Sequence, residues 1–193
     1  MGFKIIDGEG SGKEAGVDYC NRVKAKATTI SGAVSAQQKG DAYFLSSGLV
    51  TLTSGNESGV LYIKTNETSD VVIDSIQIQL GLSDGTGDVI RGDYVAVSGG
   101  TLLTDQDPGI AVNVNAGSSK SLDTDVYKGK EGATITGIST GQNIYQAGTT
   151  YEETTGGFIV PKGSDLAVSI TPPAGNTSMN VVFSVFVHLL DSE

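Results

Sequence analysis

A strict alternation of apolar and polar residues is the feature that most limits how this chain can fold. Over residues 75–82, Ile76, Ile78, Leu80 and Leu82 occupy every second position, and serine, glutamine and glycine fill the positions between them. A β-strand with one buried and one wet face has this period of two, whereas a helix repeats every 3.6 residues. The pattern therefore predicts strands that pack by one face.

The alternation changes phase at the start of this segment. Val71 and Ile73 lie just upstream and fall on the opposite set of positions. A strand can bury both halves on the same side only if an extra residue resets the alternation between them. We therefore expect a β-bulge near Asp74.

Similar patterns recur along the chain between clusters of glycine, asparagine, aspartate and serine. Alternation in residues 110–115 and 166–171 predicts strands with one buried face. The stretch 180–190 is apolar on nearly both faces and predicts a central, doubly covered strand. Residues 49–53 and 60–65 flank a turn-rich segment and predict a hairpin. Further strands are expected at residues 43–45, 89–91, 94–97, 134–138 and 158–160.

Helical signals are weak by comparison. Residues 13–27 would place Val17, Cys20 and Val23 on one helical face, but Gly16 weakens that helix. The number and spacing of the predicted strands are typical of a sandwich or a barrel.

The fold class follows from these patterns. We predict an all-β protein, an antiparallel β-sandwich that is jelly-roll-like and spans residues 41–193. Residues 1–40 are expected to form an extended N-terminal arm with the first strand. Immunoglobulin-like and barrel topologies share the same alternation, so they stay open.

Charge restricts the partners. The chain carries 12 basic and 22 acidic residues, which gives a net charge of −10. Nucleic-acid binding draws most of its affinity from phosphate neutralisation, so we expect no nucleic-acid partner. Residues 1–40 are mildly basic and the rest of the chain is acidic. The predicted arm could therefore dock on an acidic neighbour, although a solvated first strand and loop explains the charge equally well.

Compartment signals are few. Cys20 is the only cysteine, so no internal disulfide can form. No apolar run is long enough to span a membrane, and residues 2–12 lack the features of a secretory signal. We expect a protein made in a cytoplasm, with no membrane partner.

A glycine-rich segment, Gly8-Glu9-Gly10-Ser11-Gly12-Lys13, invites comparison with a phosphate-binding loop. Only three residues separate its first glycine from the Gly-Lys pair, where the motif needs four. Glu14 also stands where a magnesium-binding hydroxyl is required, and no strand precedes the loop. We therefore expect no nucleotide cofactor.

Three acidic loops and two tyrosines are the candidate binding sites for calcium and for a sugar, respectively. Calcium needs six to eight oxygen ligands, and none of the acidic loops continues into a calcium-binding pattern, so plain turns are the preferred interpretation. Tyr145 and Tyr151 would make a small platform for stacking on a sugar. The acidic loops are Asp84–Asp88, Asp105–Asp107 and Asp123–Asp125.

No residues assemble into a catalytic set. His188, the only histidine, lies in an apolar stretch, and we interpret it as a core-edge residue that hydrogen-bonds to backbone. Glu152 and Glu153 are adjacent and would point to opposite faces of a strand, so they do not form an acid–base pair. We assign no catalytic, cofactor-binding or metal-ligating residue and expect no enzyme.

Several segments resemble small virion proteins of tailed bacteriophages, particularly marine ones. They cover about half of the chain and are patterns of turns and strands rather than of chemistry. The segments are residues 40–43 (GDAY), 52–62 (LTSGNESGVLY), 123–129 (DTDVYKG), 160–163 (VPKG) and 176–190.

The resemblance implies an all-β component of the virion, most plausibly a capsid decoration (cement) protein on the exterior of the head. Such proteins commonly form trimers and hold neighbouring capsomers together, which implies the major capsid protein and further copies of this chain as partners. The alternative is a head-fibre, tail or adhesion module that binds a cell-surface glycan.

Overall fold

The computed structural model describes residues 16–17, 23–24, 31–53, 55–82, 89–97, 107–108, 110–146, 150–175 and 178–190. The chain divides into two compact units, residues 1–31 and residues 32–193. The elements within the described residues are β1 (Gly16–Val17), β2 (Val23–Lys24), α1 (Gly32–Lys39), β3 (Ala42–Leu52), β4 (Ser58–Lys64), β5 (Val71–Leu82), β6 (Val89–Val97), β7 (Asp107–Pro108), β8 (Ile110–Asn113), β9 (Asp125–Lys128), β10 (Ile138–Gln146), β11 (Thr150–Val160), β12 (Asp165–Thr171) and β13 (Met179–Leu189).

In the first unit, β1 and β2 pair antiparallel, with Val17 opposite Val23. These residues therefore lie in strands rather than in the helix considered for residues 13–27. Valine is β-branched and favours the extended backbone, and Gly16 disfavours a helix. The glycine-rich segment at residues 8–13 lies outside the described residues. The predicted boundary of the arm at residue 40 stays a prediction.

The second unit is a two-sheet antiparallel sandwich, as the alternation predicted. One sheet has the strand order β10-β6-β12-β4-β9-β7 and the other has the order β11-β5-β13-β3-β8. Side chains from both sheets meet in one buried cluster that includes Leu61 and Val168 from the first sheet and Ile78 and Phe183 from the second. Burial of this apolar surface is the main force that holds the two sheets together.

Strand β13 lies in the middle of its sheet, as predicted for residues 180–190. It pairs with β3 on one edge and with β5 on the other. Its core face is almost completely buried, whereas on its outer face His188 and Ser184 are buried, Val182 and Phe186 are half-buried and Asn180 is exposed. The core-facing residues are Met179, Val181, Phe183, Val185 and Val187.

The predicted β-bulge at Asp74 is confirmed. Ser75 pairs with Phe186 and Ile73 pairs with Val187, so Asp74 is the extra residue between two successive pairs. The extra residue resets the alternation, because Ile73 on one side of it and Ile76 on the other both enter the same core cluster.

A second bulge lies on the other neighbour of β13. Val182 pairs with Leu49 and Ser184 pairs with Ser46, so Ser47 and Gly48 together oppose Phe183. Gly48 has a φ of 63°, a conformation that glycine adopts without strain. The Phe183 N–H donates to Ser47 Oγ at 3.0 Å, so the side chain of the bulge replaces the missing backbone acceptor. The bulge also joins the predicted strands 43–45 and 49–53 into one.

The predicted hairpin of residues 49–53 and 60–65 is wrong. Strand β3 belongs to the five-stranded sheet and β4 to the six-stranded sheet, so the turn carries the chain across the sandwich. The turn residues reverse the chain direction, as predicted, but long-range partners decide the pairing. For β3 these are β13 and β8, and for β4 they are β12 and β9.

Two further strand predictions need correction. Residues 133–136 are irregular and β10 begins only at Ile138, so the strand expected at residues 134–138 is wrong. Val112 and Val114 alternate as predicted but are 51% and 39% exposed. Strand β8 is the edge of its sheet, and alternation defines two faces without stating which one is buried.

Helix α1 was not predicted. It ends with a Schellman motif, because Gly40 N–H donates to Gln37 O and Asp41 N–H donates to Ala36 O, and Gly40 has a φ of 77°. The sequence signal for it was the run of alanine and glutamine that ends at Lys39-Gly40. The helix packs against β13 and β3 and so covers one end of the outer face of the five-stranded sheet.

The loop of residues 129–137 covers part of the outer face of the six-stranded sheet. Ala133 packs with Tyr62 and Ala167, and Tyr127 and Ile135 border this small cluster. Backbone bonds fix the loop to β4: Gly129 N–H donates to Val60 O at 3.0 Å and Gly59 N–H donates to Ala133 O at 2.8 Å. Tyr62 and Ala167, which lie on the outer face of the central strands, are therefore fully buried.

The close contact at Gly129 gives a test of this loop. A Cβ at Gly129 would lie 1.8 Å from Gly59 O, so Gly129→Ala must push the loop off β4. We expect the free energy of unfolding to fall by about 1–3 kcal/mol, measured by urea denaturation. Gly117→Ala is the control, since its Cβ would meet nothing closer than 3.5 Å and the change should stay within about 0.5 kcal/mol. Equal stabilities of the two variants would contradict the close packing.

Candidate functional site

Carboxylates gather where several strands of the sandwich end. Asp165 and Asp125 pair with Lys64 from its two sides, which places them across three neighbouring strands. Asp41 lies near this group and forms an ion pair with Lys120 at 2.7 Å. We call Asp41, Glu67, Asp123, Asp125 and Asp165 the acidic end.

Glu67 organises the loop before β9. Its carboxylate accepts a hydrogen bond from the Asp123 N–H and another, at 3.5 Å, from the Thr124 hydroxyl. Burial raises the pKa of Glu67 above its usual value, the Asp123 backbone bond lowers it in part, and the charges of Asp123 and Asp41 raise it again. Asn66 Nδ2 donates to Asp125 at 3.0 Å, so these two carboxylates fix the loop in place.

Two tyrosines line the same region. The Tyr62 hydroxyl donates to Asp165 at 2.8 Å, and its ring lies 5.6 Å from that of Tyr127. Burial raises the pKa of Tyr62, and the hydrogen bond to Asp165 and the charge of that residue raise it further. Burial, followed by the charge of Asp125, also raises the pKa of Tyr127. Both phenols therefore stay protonated and act as donors rather than as acids.

Asp107, Asp123 and Asp125 are the aspartates of the acidic loops that the structure describes. Asp123 and Asp125 stand on either side of the buried Thr124, and Asp107 pairs with Lys128 through β7. Residues 84, 88 and 105 lie outside the described part of the chain. Among the residues that the structure describes, no three His, Cys, Asp or Glu side chains are placed to hold a metal ion.

His188 is buried at the edge of the core, as predicted, but its partner differs from the one expected. Its Nδ1 lies 2.8 Å from the Asp74 carboxylate, whereas the sequence suggested a backbone partner. The bulge frees Asp74 from the ladder, and Nε2 faces helix α1, where a Cβ on Gly32 would lie 3.4 Å from it. The two residues are 114 positions apart in sequence, so local patterns could not predict that they pair. The only local feature that pointed to Asp74 was the predicted bulge.

The remaining candidate residues lie on strands β10 and β11. Tyr145 is only 5% exposed and belongs to the core, so it cannot stack on a sugar. Glu152 and Glu153 pair with Gln77 and Ile76 on strand β5. The side chains of Tyr151, Glu152 and Glu153 lie outside the described residues.

Comparisons with known proteins include a structural likeness. No family model matches the chain, and no curated protein matches it. A chain in the X-ray crystal structure of tomato aspermy virus is similar over 88% of this chain and 84% of that chain, with 14% identity and a TM-score of 0.33. Within the described residues, no helix has the length and apolar character needed to cross a membrane. Evidence on function therefore comes from the chain's own residues and geometry.

The His188–Asp74 pair predicts a specific loss of stability. Asp74→Ala leaves Nδ1 of a buried imidazole without this acceptor, which should lower the free energy of unfolding by about 1–3 kcal/mol. Asp74→Asn keeps an oxygen acceptor at the same place and should cost less. Urea denaturation of both variants measures the difference. A smaller loss for Asp74→Ala than for Asp74→Asn would show that the hydrogen bond contributes nothing.

Glu67 predicts a pH dependence. Its pKa is raised above the value of 4.5 expected for an unfolded chain, so the folded state binds the proton more tightly. Ionisation of Glu67 therefore lowers stability as the pH rises above 4.5. Glu67→Gln keeps an acceptor for the Asp123 N–H without the charge. The stability of the variant relative to the natural chain should thus increase with pH in that range, measured by denaturation at a series of pH values. A constant difference would exclude this role.

Proposed function

We propose that this chain is a structural protein of a virion, and more specifically a capsid decoration (cement) protein that binds the outer surface of the head of a tailed bacteriophage. The proposed role is structural rather than catalytic. The observation that carries the proposal is the position of the segments that resemble phage virion proteins. They are scattered over the sequence, but the fold brings them into contact with one another.

These contacts run through the middle of the sandwich. Residues 40–43 enter β3, where Ala42 pairs with His188 and Tyr43 with Val187, so they join the C-terminal segment 176–190. Residues 52–62 cross into β4, which pairs with β9 from segment 123–129. Thr65, just beyond β4, donates to Pro161 O at 3.2 Å and to Ser164 O at 2.7 Å and so holds the turn of segment 160–163. Because the segments that resemble phage virion proteins contact one another, they support a common fold with those proteins rather than isolated turns of similar composition.

The architecture suits a protein that works through its surfaces. Strands β10 and β11 are edges of the two sheets, and edge strands carry backbone groups that a neighbouring protein can cover. The proposed partners are the major capsid protein and further copies of this chain, as a trimer on the resemblance. The mildly basic residues 1–40 would supply the anchor to an acidic shell. Net charge of −10 supports a protein partner over a nucleic acid.

The number of copies per particle tests this proposal. Quantitative mass spectrometry of purified particles would compare this chain with the major capsid protein. We expect a ratio near one to one, because a decoration protein occupies sites over the whole shell. A few copies per particle would assign the chain to the tail or to a fibre, and its absence from particles would overturn the proposal.

The proposed anchor can be tested on the same particles. A chain that lacks residues 1–20 should keep the folded second unit, because residues 32–193 form a compact unit of their own. It should no longer bind to particles stripped of this protein. Full binding by the shortened chain would exclude residues 1–20 as the anchor.

A further inference from the structure

The outer face of the five-stranded sheet is unusual for a protein of this charge. Beyond helix α1, the outward-facing side chains that the structure describes on β8, β3, β13 and β5 include no aspartate, glutamate, lysine or arginine. The residues of this uncharged face are Val112, Phe44, Ser46, Leu49, Thr51, Asn180, Val182, Ser184, Phe186, Ser75, Gln77, Gln79 and Gly81. Asp74 and His188, which hydrogen-bond to each other, mark its border at the helix.

Apolar side chains remain accessible on this face. Leu49 is 56% exposed and Val112 is 51% exposed, and Phe44 and Phe186 pack together with their ring centroids 5.0 Å apart. The six-stranded sheet differs, because the loop of residues 129–137 buries Tyr62 and Ala167 on its outer face. The face therefore shares two features with the centre of a protein interface, which is depleted of charge and holds aromatic and aliphatic side chains.

The face also carries a projection and a depression side by side. A cavity of about 270 Å³ lies among Leu49, Val182, Gln79 and Asn180. Gly81 also lines it, and an added Cβ there would have no atom within 4 Å. The Leu49 side chain projects at the rim, since Ser47 and Gly48 bulge the strand just before it. A projection beside a depression on one surface is the arrangement that a two-fold axis makes self-complementary.

The charge of the chain indicates which partner would bind to the uncharged face. Two copies of a chain with a net charge of −10 repel each other wherever their charged surfaces meet. Glu152 pairs with Gln77 at the β11 edge of this sheet. Inside that edge, the described side chains of β8, β3, β13 and β5 let two copies approach without that repulsion, and they offer no charged group to a partner of opposite charge. We infer that a second copy of this chain docks on the uncharged face, with Leu49 of each copy in the depression above Gly81 of the other. The inference concerns the protein in solution and does not depend on its place in a virion.

The size of the face fits such a contact. Strands β3, β13 and β5, spaced by about 4.8 Å and with about eight residues of about 3.3 Å each, cover roughly 380 Å² in projection, and the shorter strand β8 adds to that area. A stable interface of standard size buries about 800 Å² on each partner. The uncharged face therefore supplies the centre of an interface of that size, and the polar residues around it would form the rim.

Sedimentation velocity of the full chain, over a range of concentrations, tests the inference. We expect the natural chain to sediment as a two-fold dimer when no capsid is present, whereas the trimer proposed above would assemble on the head. Leu49→Lys places a charge at the centre of the contact and Gly81→Val fills the depression without adding charge. Each should raise the dissociation constant by about tenfold or more. The added Cβ at Gly81 has free space and Leu49 is exposed, so both variants should keep the fold, which thermal unfolding would confirm.

Ile138→Lys is the matched control. Ile138 is 72% exposed at the start of β10 on the other sheet, so the same charge added there should leave the dimer intact. A monomer at every concentration, or an oligomer that tolerates both Leu49→Lys and Gly81→Val, would overturn the inference. An equal loss in the Ile138→Lys control would also overturn it, since general charge would then explain the effect. A monomeric chain whose Leu49→Lys variant no longer binds virus particles would assign the face to a different protein.

Discussion

Strand β13 joins two parts of its sheet that otherwise have no ladder in common. On one side it pairs with β3, which also holds β8, and on the other side it pairs with β5, which also holds β11. Met179 lies opposite both Leu52 and Leu82, so the last strand of the chain closes contacts made with segments far upstream. Each backbone bond contributes only about 1 kcal/mol, but β13 also buries a full row of apolar side chains in the core. The five-stranded sheet therefore cannot be complete until the C-terminal strand is in place.

Each neighbour of β13 carries one bulge opposite it. Asp74 is the extra residue in β5, and Ser47 and Gly48 form the bulge in β3. Each insertion leaves polar groups that need partners inside the sheet. Ser47 supplies an acceptor to the Phe183 N–H, and Asp74 supplies one to His188. The one buried histidine is thus tied to the bulge in β5, which explains its partner without any catalytic role.

Local pattern predicted the strands and the Asp74 bulge, since period and phase are properties of neighbouring residues. It did not predict the partners. The turn between β3 and β4 looks the same whether the chain returns in the same sheet or crosses to the other, and only burial against distant strands decides. Val112 shows the same limit, because alternation does not say which face becomes the core. Within the acidic end, Asp123 and Asp125 were visible in sequence, whereas Glu67, which binds their loop, lies 56 positions from Asp123.

The charged residues are distributed unequally over the second unit, and so are the loop and helix that pack on the outer faces of its sheets. Carboxylates gather at the acidic end, where strands end and water can solvate them. The outer faces of the sheets are covered to different extents: the loop of residues 129–137 covers part of one, and helix α1 covers only one end of the other. A free-standing acidic protein gains solubility from charge on every exposed face, so a charge-free face with accessible leucine, valine and phenylalanine works against solubility unless something covers it. Because the acidic end repels its own copies, the sides of the sandwich are where contacts between like chains cost least.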